Sequence, residues 1–71
     1  MRLYCIMNES EELLVRSDGD PFFGVFDLED SSNNEGILLQ CWFSQRQAEV
    51  FAEEHCPDVK WEIVELIDTK W

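Results

Sequence analysis

The sequence predicts an α+β fold, an antiparallel sheet of about four or five strands with one helix on one face, in the order β-β-β-β-α-β. Three observations point there. Short β-prone apolar runs recur along the chain, separated by polar turn formers. A single window, opening at Ser44 and stopped by Pro57, spaces its apolar residues as a helix does. The chain has 71 residues, 45% of them hydrophobic, which is one small domain over residues 1–71 and too apolar a composition for disorder.

Residues 2–7 alternate loosely and form the first strand. Residues 8–12, Asn-Glu-Ser-Glu-Glu, make a polar turn, and residues 13–16 a short second strand. Residues 17–21, Ser-Asp-Gly-Asp-Pro, are dense in turn formers. The aromatic run 22–28 reads as the third strand, with Gly24 marking a bulge or a close backbone approach. Residues 29–36 are polar and read as a flexible loop. Residues 37–43, Ile-Leu-Leu-Gln-Cys-Trp-Phe, are the fourth strand. Ser44 and Gln47 have capping-box spacing. Ala48, Phe51, Ala52 and His55 then fall on one helical face, with Glu49, Glu53 and Glu54 outside. Residues 61–67 close the sheet, and Trp61 packs in the core.

Several strands are apolar on both faces: Leu38 and Trp42 oppose Ile37, Leu39, Cys41 and Phe43, and Ile63 and Ile67 oppose Val64 and Leu66. One short helix cannot cover both sides of a sheet. Either loops or sheet curvature cover the second face, or it is an apolar strip for a partner or a second copy, which makes a homodimer an open expectation.

Catalytic and metal readings fare poorly. The chain has one histidine, His55, beside Cys56, but neighbours on a helix point about 100° apart, so the two do not form a nucleophile pair. His55 suits a helix C-terminus. There is no Gly-rich phosphate loop and no nucleophile elbow. Cys5, Cys41, Cys56 and His55 lack the C-x-x-C element of zinc sites. Read as a calcium loop from Asp30, the chain has Ser32 and Asn34 in place but Glu35 where glycine is needed and Cys41 where the bidentate Glu belongs. No enzyme, metal or cofactor is expected. Three scattered cysteines suit reduced thiols in a cytoplasmic protein. The short apolar start runs at once into acids, which argues against a signal peptide, and no run is long enough to span a bilayer.

Charge is the strongest functional clue. There are 16 Asp and Glu against 5 Lys and Arg, a net charge of −11. Such a chain repels nucleic acid and anionic membranes and attracts basic proteins. The acids concentrate between residues 9 and 35, where only Arg16 opposes them. The candidate partner-binding surface is Glu9, Glu11, Glu12, Asp18, Asp20, Asp27, Glu29, Asp30 and Glu35, joined by Glu49 and Glu53 of the helix. Duplex DNA carries one charge per ~1.7 Å of axis. Carboxylates on neighbouring turns and strands can reproduce part of that array for a protein whose groove accepts phosphates.

In size, charge and α+β character the whole chain resembles small acidic bacteriophage-encoded proteins that shut down host functions, some of which are DNA mimics. The acid clusters at residues 9–12, 18–20, 27–35 and 49–54 carry that resemblance. It implies an inhibitor acting in the host bacterial cytoplasm on a basic DNA-binding protein, such as a histone-like nucleoid protein, a restriction enzyme, a CRISPR effector or RNA polymerase. The strand-helix-strand end, residues 37–66, also looks like small phage inhibitors of RNA polymerase. The alternative is a non-enzymatic interaction module or adaptor working through an apolar sheet face.

Overall fold

The computed structural model describes residues 2–27, 29 and 31–67. Its elements are β1 (Arg2–Asn8), β2 (Leu13–Arg16), β3 (Pro21–Gly24), a 3₁₀ turn (Ser31–Asn34), β4 (Leu38–Leu39), β5 (Cys41–Trp42), α1 (Gln45–His55) and β6 (Trp61–Ile67). Every strand pairing is antiparallel. The α+β class and the single helix are as the sequence predicts.

β1 is the centre of the sheet. One edge pairs along its whole length with β6, from Arg2 opposite Ile67 to Asn8 opposite Trp61. The other edge is shared. Near the end of β1, Met7 faces Leu13 of β2; nearer its start, Tyr4 and Cys5 face Trp42 and Cys41 of β5. β2 takes β3 on its outer edge, and on its inner edge Val15 and Arg16 face Leu39 and Leu38 of β4. β1 and β2 therefore diverge beyond their hairpin like the arms of a V. Residues 38–42 fill the gap as a smaller V with Gln40 at its point, where the Gln40 N–H donates to the Leu14 carbonyl at 3.1 Å.

This geometry corrects the expected strand over residues 37–43. The two arms run in opposite directions, so a segment antiparallel to both must reverse between them, and it does so at Gln40. β5 and β6 then run parallel to each other on either side of β1, joined by α1 in a split β-α-β unit. The helix lies on β1, β5 and β6.

Alternation along the strands feeds two apolar layers. On the helix side Ile6 and Leu14 are buried against Ala48 and Ala52, with Tyr4, Phe23, Trp42, Phe51, Trp61 and Ile63 packed around them. The two alanines let the helix approach closely. On the other side Cys5, Leu13 and Val15 are buried among Met7, Leu39, Cys41 and Leu66, beneath Phe26 and Ile37. The buried part of the second face is thus covered by the chain itself, through Phe26 and Ile37.

That segment is built differently from the expected strand over 22–28 and the expected flexible loop. β3 stops at Gly24. A Cβ there would meet the Phe22 ring at 3.1 Å and Val15 Cγ2 at 3.4 Å, so the glycine permits the close approach of Val15 across the strands. Leu28 lies outside the described residues. Asn34, 7% exposed, pins the crossing: its Oδ1 accepts from the Asp27 N–H at 2.9 Å and its Nδ2 donates to the Asp27 carbonyl at 2.6 Å. The Asn34 carbonyl accepts from the Ile37 N–H at 2.9 Å, leading the chain into β4.

The β1–β2 turn is held by Asn8, whose Oδ1 accepts from the N–H groups of Ser10 (3.0 Å) and Glu12 (2.9 Å). Glu11 closes it at φ 62°, a left-handed conformation that glycine adopts more easily. Ser44 occupies the helix N-cap, as its spacing suggests, but its hydroxyl makes no capping hydrogen bond. α1 ends at His55, two residues before Pro57.

Two stability outcomes follow from these turns. Asn34→Ala strips both bonds from a buried site and lowers stability by about 2 kcal/mol, read as a lower urea midpoint. Glu11→Gly relieves the left-handed residue and raises stability by about 0.5–1 kcal/mol in the same assay.

Candidate functional site

The topology sorts the charges by position along β1. At the end where β1 stops, the hairpin turn carries Glu9, Glu11 and Glu12. The helix also ends there, because it must return the chain to Trp61 opposite Asn8. An exposed ion pair, Lys60 Nζ to Glu9 Oε1 at 3.5 Å, joins the turn to the segment after the helix. Asp58 shares a shallow cleft with Glu9 and Ser10, and Glu62 lines the adjoining one. The last helical turn adds exposed Glu53 and Glu54, with His55 as its one basic residue. At the opposite end lie Arg2 at the start of β1, Arg16 at the end of β2 and Arg46 in the first turn of α1. The molecule therefore has an acidic pole and an end that holds all three of its arginines.

The helix is charged against its own dipole. Its positive N-terminal turn contains no acid and holds Arg46, while its negative C-terminal turn holds Glu53 and Glu54. This arrangement costs stability, and packing of the helix on the sheet offsets it.

The acids expected as one surface divide among three places. Glu9, Glu11, Glu12 and Glu53 gather at the acidic pole. Asp18 and Asp20 occupy the β2–β3 turn at the arginine end, where Asp18 sits at φ 56°. Asp27, Glu29 and Glu35 belong to the segment covering the sheet face away from the helix, and Glu49 lies on the helix, accepting from Gln45 Nε2 at 3.4 Å. Asp27 also has local partners: its carboxylate accepts from the Glu29 N–H at 2.9 Å and from Asn33 Nδ2 at 3.3 Å. Glu12 accepts from Asn8 Nδ2 at 3.1 Å. Asp30, Asp68, Lys70 and Trp71 lie outside the described residues. The pole's further members, Glu54, Asp58 and Glu62, were legible only once β6 was known to start beside the first hairpin.

A second surface lies along the helix. Trp42, Arg46, Gln47, Val50, Phe51 and Glu54 line an apolar groove of about 440 Å³. The Trp42 and Phe51 rings are 5.0 Å apart, and the His55 ring stacks on Phe51 at 4.3 Å. Leu38 of β4 is 61% exposed, and Phe43, just past β5, is 73% exposed.

Burial holds the thiols protonated. It pushes Cys5 up to about 12, with the neighbouring Cys41 adding to the rise, and it raises Cys41 and Cys56 as well. None is a ready nucleophile at neutral pH. Among the described residues no group of three His, Cys, Asp or Glu side chains is placed to hold a metal ion. Among them, too, no helix is long and apolar enough to cross a membrane. Comparison of the chain with protein-family models, curated proteins and solved structures returns no match.

The Cys5 thiol makes stability fall in alkali. Its folded pKa lies above the unfolded value of 9.0, so its contribution is complete below pH 9 and is lost as pH rises towards 12. Denaturation midpoints taken from pH 8 to 11 should fall less steeply for Cys5→Ala than for the unaltered chain.

Proposed function

We propose that this protein is a non-enzymatic inhibitor that occupies the nucleic-acid-binding surface of a basic protein, its acidic pole standing in for phosphates. The observation that carries this reading is the placement of charge. Acids from the hairpin turn, the helix end and the start of β6 meet at one end of the molecule, against the helix dipole, while the other end mixes Arg2, Arg16 and Arg46 with Asp18, Asp20 and Glu65, the last paired with Arg2 at 3.3 Å. Solubility alone is served by scattered charge. A dipolar arrangement also orients the molecule as it approaches a cationic groove and speeds association. A histone-like nucleoid protein is a fitting partner, and a bacteriophage-type host-takeover role, in the cytoplasm of a bacterial host, is consistent with the size and charge of the chain.

The second reading uses the groove beside Trp42, lined by the exposed Val50, with exposed Phe43 following Trp42 in the chain. It describes an interaction module, of the kind an RNA polymerase inhibitor would be, held by apolar contact. Salt separates the two. Electrostatic mimicry loses affinity steeply as salt rises, whereas apolar docking does not.

The test is titration of a histone-like nucleoid protein with the purified chain at 50 and 200 mM salt, with duplex DNA as competitor. Mimicry predicts at least a tenfold loss of affinity over that range and displacement by DNA. It also predicts that Glu11→Lys, Glu53→Lys and Asp58→Lys together abolish binding without lowering the melting temperature. Binding that survives those reversals but fails in Phe43→Ser with Val50→Ser would transfer the function to the groove.

A further inference from the structure

The sheet brings two of the three cysteines into direct opposition, and this pair serves neither the acidic pole nor the groove. Cys5 of β1 and Cys41 of β5 are partners in register. Both side chains point into the layer beneath Phe26 and Ile37, where Cys5 is fully buried and Cys41 half-buried. Directly opposed residues of antiparallel strands hold their Cβ atoms about 4.5–5.5 Å apart. A disulfide needs about 3.8 Å, so a small closure of β5 onto β1 would join them, and a bridge made by such closure is more readily reduced than an unstrained one. Cys56 ends α1, on the other side of the sheet, and cannot reach either partner in the folded chain.

We infer that Cys5 and Cys41 form a reversible thiol–disulfide pair, oxidised by exchange with a low-molecular-weight disulfide. Cys41, the more accessible of the two, attacks one sulfur of oxidised glutathione as a thiolate and releases one glutathione thiolate. Cys5 then gives up its proton, attacks Cys41 Sγ and releases the second. Two protein thiols become one disulfide, one glutathione disulfide becomes two glutathiones, and the two protons pass to the released thiolates. Burial of the thiols makes the exchange slow, while register decides which bond forms.

The bond would have a structural consequence. β5 is two residues long, and its pairing with β1 is what anchors the entry to α1. A covalent link between Cys5 and Cys41 fastens that entry to the central strand.

The experiment exposes the folded chain to oxidised glutathione, counts free thiols under denaturing conditions and maps the linkage by mass spectrometry of a non-reduced digest. The expected result is a fall from three thiols to one, a Cys5–Cys41 bridge with Cys56 free, a raised melting temperature and complete reversal by dithiothreitol. Cys56→Ser should form the same bridge, and Cys5→Ser should stop at a glutathione adduct on Cys41. A stable adduct on Cys41 in the unaltered chain, retention of all three thiols while a urea-unfolded control oxidises, or a bridge to Cys56 would each overturn the assignment. If Cys5→Ser does not fold, the map from Cys56→Ser decides alone.

Discussion

β1 is the element on which the rest of the structure depends, because its two faces and both its edges are in use. Ile6 points into the helix layer and Cys5 into the layer beneath residues 25–37, and each is fully buried. One edge is satisfied by β6. The other is divided between β2 and β5, and that division forces the chain to reverse at Gln40. A backbone edge must find hydrogen-bond partners when it is buried. Here the next strand in sequence, β2, and two from the far half of the chain, β5 and β6, supply them to one seven-residue strand. A small domain has little core to spare, and a charge imposed where β1 needs apolar neighbours would disturb both layers at once.

Much of this was readable in the residues. The helix from Ser44 to Pro57 has an unambiguous apolar face, and Ala48 and Ala52 are where that face is most buried. The terminal strands and the 13–16 strand show their β-prone runs plainly. The two-sided apolar pattern raised the question of the second face, but left open whether the chain covers it or a partner or second copy does. Three features escaped. Gln40 sits inside a continuous β-prone run, so local propensity shows no break; the reversal comes from the opposed directions of β1 and β2, which is tertiary information. The segment after Gly24 reads as strand because Val25 and Phe26 are β-prone, yet Phe26 is needed over the second face. Asn34 looks like one more polar loop residue, and only its pairing with Asp27 shows that it holds the cover in place.

The candidate site was legible in composition and less so in placement. Sequence order groups the acids between residues 9 and 35, but the fold separates them: Asp18 and Asp20 go to the arginine end, and Asp27 is engaged by Asn33 and by the Glu29 backbone. In their place it recruits Glu54, Asp58 and Glu62 from the second half of the chain. The regrouping follows from a single fact of topology. The split β-α-β connection returns the chain to the end of β1 where the first hairpin turns, so whatever charge the helix end and the following turn carry must join the hairpin's own.

The same topology explains why the open surfaces described above lie at the ends of the molecule and on the outer side of its helix. α1 packs on one face of the sheet, and Phe26 and Ile37 pack on the other. What remains are the turns, the strand edges and the groove beside Trp42. Glu54 belongs to both of the larger surfaces, standing in the last turn of the helix and on the wall of the groove. The acidic pole and the groove are therefore contiguous. On the proposed reading, a basic partner that approaches the pole under electrostatic attraction would meet Val50 and Trp42 immediately beyond Glu54. Long-range charge would then govern the rate of encounter, and apolar contact at the groove would govern how long the complex lasts. That division of labour would give the exposed Val50 a use beside so acidic a pole.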